Sequence, residues 1–283
     1  MNLIDRLKEY DDFSSSEKVA AVFIADNVDA CLKMSVDKIG DLSYTSGSTV
    51  SRVIKKLGFE NFGDFKMRLA KDNESYRHKT DINAPFSSND SVEEIVKKMR
   101  NLFIDSIDSV IDNIDTDSLV RAAQKIARGC EINLYGEGQS YYLCKDFAEK
   151  MKRIGIKANC PTARSEMWTQ AFTQNEKDMV IIVSFHGSAN HYIQLVDLMK
   201  RRKVTCVTIT GEDGNPLSRL GNINICCRSH EKYDKIAAFE SRNQMTFVLD
   251  LLFAYVFCQD YEGNLKKVKE NMIDVYRARG IKY

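Results

Sequence analysis

Past residue 130 the chain repeats one pattern: a short apolar run, then a stretch with helical spacing. The runs are INLY (132–135), MVIIVSF (179–185), VTCVTI (204–209) and INICC (223–227), with a shorter one at KANC (157–160). Helical patterns at 139–154, 188–201 and 235–258 separate or follow them. Apolar runs of this length, alternating with helices, read as strands covered on both faces, and their long crossovers favour parallel pairing. The pattern therefore predicts a doubly wound, mainly parallel α/β domain, led in by helices at Val92–Ile111 and Asp117–Ala127.

The first quarter has a different grammar, with short helices only. Val19, Val22 and Phe23, followed by Asp26-Asn27, suggest one helix and its end; Val36, Ile39 and Leu42 suggest a second, very short one. Val50, Val53, Ile54 and Leu57 fall at i, i+3, i+4, i+7 and stop at Gly58, and Phe62, Phe65 and Leu69 give a fourth helix. Between Glu74 and Asp90 apolar periodicity is missing and one of only three prolines occurs. We expect an all-α N-terminal domain at 1–75, a linker at 76–90 and the α/β domain at 91–283.

The segment VDKIGDLSYTSGSTVSRVIKK places a short helix, a tight polar turn and a second helix starting near Ser46 in succession. That is a helix-turn-helix, whose second helix fits the DNA major groove. With Val50, Val53, Ile54 and Leu57 inward, its outward groups are Ser48, Thr49, Ser51, Arg52, Lys55 and Lys56. Hydroxyls and a guanidinium near a helix start suit base edges, while lysines further along suit phosphate oxygens. Between residues 52 and 71 stand six basic residues and two acidic ones, although the whole chain is balanced at 41 Lys plus Arg against 40 Asp plus Glu. A solvated face on an ordinary helical bundle would carry the same charges.

The run SGSTVSRVIKKLGFENFGDFKMRLA closely resembles the N-terminal helix-turn-helix of RpiR-type bacterial transcription regulators. Ser46, Thr49, Val50, Arg52, Lys56, Leu57, Gly58, Phe59 and Phe62 carry the match. The resemblance implies sequence-specific binding to a double-stranded DNA operator, and side-chain chemistry singles out Thr49 and Arg52 as its foremost contacts.

Two loops leave strand ends with small polar residues. LYGEGQS offers Gly136, Gly138, Gln139 and Ser140; SFHGSAN offers Ser184, His186, Gly187 and Ser188. At the carboxyl ends of parallel strands, free backbone N–H groups and hydroxyls at helix starts receive anions, so phosphate is the natural guest. Neither loop has the third glycine of a dinucleotide fingerprint or the Gly-Lys-Ser/Thr of a nucleotide P-loop. Each alone would pass for a glycine-containing strand-to-helix turn.

Residues from about 105 to 260 are similar to SIS (sugar isomerase) domains, the sensor half of RpiR-type regulators, which bind phosphorylated sugars. There the loops read Gly-x-Gly-x-Ser and Ser-x-Ser-Gly-x-Thr. This chain keeps the first, but His186 replaces the second serine of the other loop and Ala189 its threonine. Three outcomes are compatible with the departures: an imidazolium donor to phosphate, a pocket for a different ligand, or loss of phosphate binding. Asn215 likewise replaces the serine of a Ser-Pro-Leu stretch. Glu240 and Arg242 open the last long helix, facing the pocket, facing a partner subunit or pairing at the helix end.

Three functions fit. The leading one is a regulator whose operator binding is controlled by a phosphosugar effector, acting as a homodimer or homotetramer because operators read by such helices come as paired half-sites. The second is a sugar-phosphate isomerase or lyase drawing on Glu137, His186, His191 and Glu240. The third is a regulator whose SIS domain only dimerises. No cofactor is expected. Cys226, Cys227 and His230 make the best metal case, a weak one because adjacent strand residues point to opposite faces. The eight cysteines lack Cys-x-x-Cys spacing, the start MNLIDRLKEYDDF lacks a signal-peptide core, and no apolar run is long enough to span a bilayer. The expected setting is the cytoplasm, with no membrane partner.

Overall fold

The computed structural model describes residues 3–10, 12–77, 81–212, 214–278 and 280. They form two compact units, Met1–Thr80 and Asp81–Tyr283. Of the stretch read as a linker, residues 78–80 lie outside the described residues. Residues from Asp81 onward pack with the second unit: Lys232 N donates to Asn83 Oδ1 (2.7 Å), and the Phe86 ring meets Phe239 edge-on at 6.2 Å.

The first unit is all helix: α1 (Leu3–Glu9), α2 (Ser15–Asp26), α3 (Val28–Cys31), α4 (Val36–Leu42), α5 (Gly47–Lys56) and α6 (Phe62–Arg77). Its core gathers Leu3, Ile4 and Leu7 of α1 with Ala20, Ala21 and Ile24 of α2, Ile39, the α5 face Val50, Val53 and Ile54, and Phe65 and Leu69. Here the periodicity of α2 misleads. Val19 and Val22 are exposed, and the buried face is Ala20, Ala21, Ile24 and Ala25, whose small side chains let neighbouring helices approach. The α4–α5 crossing is tighter still, since a Cβ on Gly40 would strike the backbone at Ser46 and Gly47. Tyr44, at φ +54°, turns the chain between them.

The second unit opens with α7 (Val92–Asn113) and α8 (Thr116–Ala127). Then come β1 (Ile132–Tyr135), α9 (Gln139–Arg153), β2 (Ala158–Asn159), α10 (Arg164–Ala171), β3 (Met179–Val183) and α11 (Asn190–Arg201). It closes with β4 (Thr205–Thr210), α12 (Pro216–Leu220), β5 (Ile223–Cys226), α13 (Glu240–Gln259) and α14 (Tyr261–Ala278). All four strand pairings are parallel, in the order β2-β1-β3-β4-β5. Alternate residues serve opposite faces. Ile132, Leu134, Ile181, Val183, Val207 and Ile209 meet α8, α9 and α13, while Tyr135, Val180, Ile182 and Cys206 meet α10 and α11. The architecture is the doubly wound parallel sheet that the apolar runs predict.

One boundary moves. The last long helix starts at Glu240, not 235, and residues 228–239 form a separate segment beginning at Arg228, φ +51°. Glu231 fixes the helix start from outside: its carboxylate accepts from the Ser241 N–H (3.1 Å) and the Ser241 hydroxyl. Among the described residues no helix is long and apolar enough to cross a membrane.

Candidate functional site

In the first unit Ser46 caps α5, its hydroxyl accepting from Thr49 N at 3.2 Å and lying 2.8 Å from the Ser48 hydroxyl. Ser48, Arg52, Lys55 and Lys56 are exposed and Ser51 is half-buried. Thr49 is not on the outward face. It is buried, its hydroxyl 3.0 Å from Ser46 Oγ and accepting from Arg52 Nη2 at 3.4 Å, so its work is to aim Arg52. Lys56, although exposed, also has partners within the bundle. Its ammonium donates to the Asp12 carbonyl (2.8 Å) and the buried Glu17 carboxylate (2.7 Å), at the edge of the bundle.

In the second unit the two loops lie side by side at the carboxyl ends of β1 and β3, because those strands are neighbours. Ser184 N donates to Ile209 O (3.0 Å), Gly211 N to Phe185 O (2.8 Å) and Leu217 N to Gly187 O (3.0 Å), fastening the second loop to the β4–α12 connection. Gly187, at φ +59°, lies under Asn215 so closely that a Cβ would run into its side chain. Asn215, standing where the family has serine, donates to Glu212 O and caps α12 through Ser218 N. The N-cap residues of α9 and α11, Gly138 and Ala189, provide no side-chain cap, leaving backbone N–H groups for other partners.

Two cavities open beside these loops. One, about 330 Å³, is lined by Glu137, Ser140, Ser184, His186, Ser188 and Tyr192, among others. The other, about 340 Å³, is lined by Gln139, Ser140, Phe185, Lys235, Ser241 and Arg242, among others. His186 and Tyr233 line both, their rings stacked at 3.9 Å and 13°. A larger hollow of about 660 Å³, beside β2, contains none of the residues expected at the site. The helical pattern at 235–258 hides Lys235, and Tyr233 stands before it in a segment without periodic signal. Lys235 Nζ sits 4.7 Å above the Phe185 ring and 3.3 Å from Glu231 Oε2.

The titratable groups divide by setting. Burial, with the nearby Lys235 charge, pushes the His186 pKa down, so at neutral pH its ring is uncharged and makes an aromatic wall. Glu137 Oε1 accepts from Arg164 Nε (3.2 Å) and Nη2 (2.7 Å), with His191 Nε2 at 3.3 Å; burial pushes the His191 pKa down despite that carboxylate. Glu240 lines neither cavity. It is buried, accepts from the Ser229 hydroxyl (2.6 Å) and His230 N (3.3 Å), and burial raises its pKa. The four groups an isomerase would need are thus divided between an aromatic wall, an ion-pair cluster and a buried helix end. Cys227 is buried and Cys226 ends β5; among the described residues no cluster of three His, Cys, Asp or Glu side chains is placed to hold a metal.

Comparison with known proteins matches two separate parts of the chain. Residues 1–75 match the helix-turn-helix domain of the rpiR family and residues 125–255 match the SIS domain. An uncharacterized HTH-type transcriptional regulator of Clostridium perfringens is 27% identical over 257 residues, 90% of this chain and 92% of that protein. The Vibrio vulnificus NanR protein complexed with ManNAc-6P has a similar fold, with a TM-score of 0.61 and 24% identity over 98% of this chain and 99% of that one. The sugar isomerase domain of an RpiR transcription factor from Sphaerobacter thermophilus follows at a TM-score of 0.55, with 16% identity over 61% and 95%.

Proposed function

We propose, from the premise that this chain belongs to the RpiR-type transcription regulators, with an rpiR-family helix-turn-helix domain joined to a SIS domain, that a phosphorylated sugar in the SIS domain controls binding to a DNA operator. The observation that carries the reading is the paired cavity at the ends of β1 and β3, lined by Ser140, Ser184, Ser188, Gln139, Lys235 and Arg242, on the same chain as α5. To regulate, the sugar must favour one arrangement of the DNA-binding units over another, since equal affinity for both shifts nothing. A homodimer or homotetramer in the cytoplasm is the form proposed. Val92, Val96, Ile104 and Ile111 leave apolar side chains of α7 exposed, as a helix that pairs with a second copy would.

Retention of operator duplex by the purified protein, titrated with a phosphosugar panel, tests the reading. ManNAc-6P, the ligand of the NanR complex, is the first member, followed by fructose 6-phosphate and glucosamine 6-phosphate. Release or tightening by one of them, without turnover, is the expected result. Turnover with no effect on DNA would favour the isomerase, and a panel that neither binds nor acts would favour a SIS domain that only dimerises.

A further inference from the structure

The two cavities that meet at the His186–Tyr233 stack carry opposite charge. In the one bounded by Ser184 and Ser188, the position the family motif gives to phosphate, the lining side chain charged at neutral pH is the Glu137 carboxylate. Arg164, which donates twice to Glu137, does not itself line the space. The replacements at His186 and Ala189 have removed two hydroxyl donors from the same wall, and the imidazole there is uncharged. A phosphate placed here would lose donors and face a like charge.

The neighbouring cavity contains Lys235 and Arg242 and no carboxylate. Lys235 Nζ is 3.3 Å from Glu231, but Glu231 also accepts from the Ser241 N–H and hydroxyl, and an ammonium has three donors. Arg242 is exposed and makes no side-chain hydrogen bond or ion pair among the described residues, so its planar fork of donors is available. Gln139 and Ser140 add polar groups from the opposite loop.

We propose that the anionic group of the effector binds in the Lys235–Arg242 cavity, displaced from the Ser184–Ser188 wall, and that its hydroxyl-bearing body passes the His186–Tyr233 stack towards Glu137. The inference rests on the reading of the SIS domain as a phosphosugar sensor and orients the ligand within it. It gives the two altered positions of the second loop a physical sense: that wall now meets neutral, hydrogen-bond-donating hydroxyls, for which a carboxylate acceptor is suited and a serine–threonine cradle is not required.

Calorimetric titration of the full-length protein with inorganic phosphate tests where the anion sits, whichever sugar is the effector. Arg242→Gln and Lys235→Gln should each weaken phosphate by about tenfold, while Ser184→Ala, Ser188→Ala and Glu137→Gln stay within about twofold of wild type. Binding that is lost in Ser184→Ala or Ser188→Ala and kept in the Lys235 and Arg242 variants would overturn the proposal. So would phosphate bound several-fold more tightly by Glu137→Gln, or no phosphate binding at all. The regulator reading fails separately: a protein that shows the expected phosphate pattern, but whose operator complex no phosphosugar alters, keeps its anion subsite and loses that function.

Discussion

The Lys56 ammonium donates to the Glu17 carboxylate at 2.7 Å, tying the end of α5 to the first turn of α2. Glu17 is buried, and Lys56, with the Ser14 N–H behind it, brings its pKa from 4.5 down to about 2. A carboxyl depressed in this way stabilises the fold fully above its ordinary pKa, and the contribution disappears as pH falls through the depressed value. Lys56→Met should therefore cost about 1–2 kcal/mol at neutral pH, less than a fully buried pair because the lysine is 40% exposed. The deficit should narrow between pH 4.5 and about 2. Urea denaturation across that range checks it, and a pH-independent deficit would refute the assignment.

Lys55 and Arg52 should divide the DNA contact between them. Arg52 Nε donates to Ser48 O and Nη2 to Thr49 Oγ1, both at 3.4 Å, which steadies an exposed guanidinium near the start of α5. Arg52→Ala should weaken operator binding by about 1–3 kcal/mol with little change on random duplex. Lys55→Ala should weaken both alike and lower the salt dependence by about one counterion. Fluorescence anisotropy at several salt concentrations separates the outcomes; equal loss on random DNA for Arg52→Ala would make it a phosphate contact.

Gly187 and Asn215 interlock, and each explains the other. The glycine needs φ +59°, and the space its Cβ would take is filled by the Asn215 side chain. Gly187→Ala should destabilise the protein by about 2–3 kcal/mol, combining backbone strain with the displaced amide. Adding Asn215→Ala should recover part of that loss, since it clears the space and leaves only the strain, less the cap on Ser218 N. A double mutant as unstable as the summed single changes would show that the contact is not the cause.

The parts legible in the sequence are those whose signal is local. The α5 face of Val50, Val53 and Ile54 repeats at helical spacing and halts at Gly58, and the sheet follows from short, largely apolar runs between helical patterns. The α2 face was misread because alanine carries little weight in a hydrophobic pattern, while in the bundle its small size lets helices close in. Helix α1 is hard to see in the sequence because its buried Leu3, Ile4 and Leu7 are interleaved with charges. Tyr233 and Lys235 were hidden for a different reason. The apolar stretch Ile236 to Phe239 runs into α13, and distant partners set where the helix begins: Glu231 on Ser241, with Ser229 and His230 on Glu240. Spacing alone puts Thr49 and Lys56 on the outward face; in the fold Thr49 is buried against Ser46, while Lys56 stays exposed and bonds to Asp12 and Glu17.

Glu240 offers a test of opposite sign to that of Glu17. Burial raises its pKa above 4.5 against the donations of the Ser229 hydroxyl and His230 N–H, and the nearby Glu231 carboxylate pushes the same way. A carboxyl raised in the folded state stabilises fully below its ordinary pKa, and that contribution is lost as pH rises through the raised value. The ionised form of Glu240 is therefore the one its surroundings disfavour. Glu240→Gln keeps an acceptor for Ser229 and His230 and removes the charge, so its Tm should exceed that of wild type at pH 7.5, by an increment worth about 1 kcal/mol. The advantage should shrink as pH falls towards 4.5 and the wild-type carboxyl takes up its proton. Thermal melts of both proteins between those limits decide it. A Gln variant that melts lower at every pH would mean that the ionised carboxylate is required at the start of α13, as a contact to ligand or to a second subunit would demand.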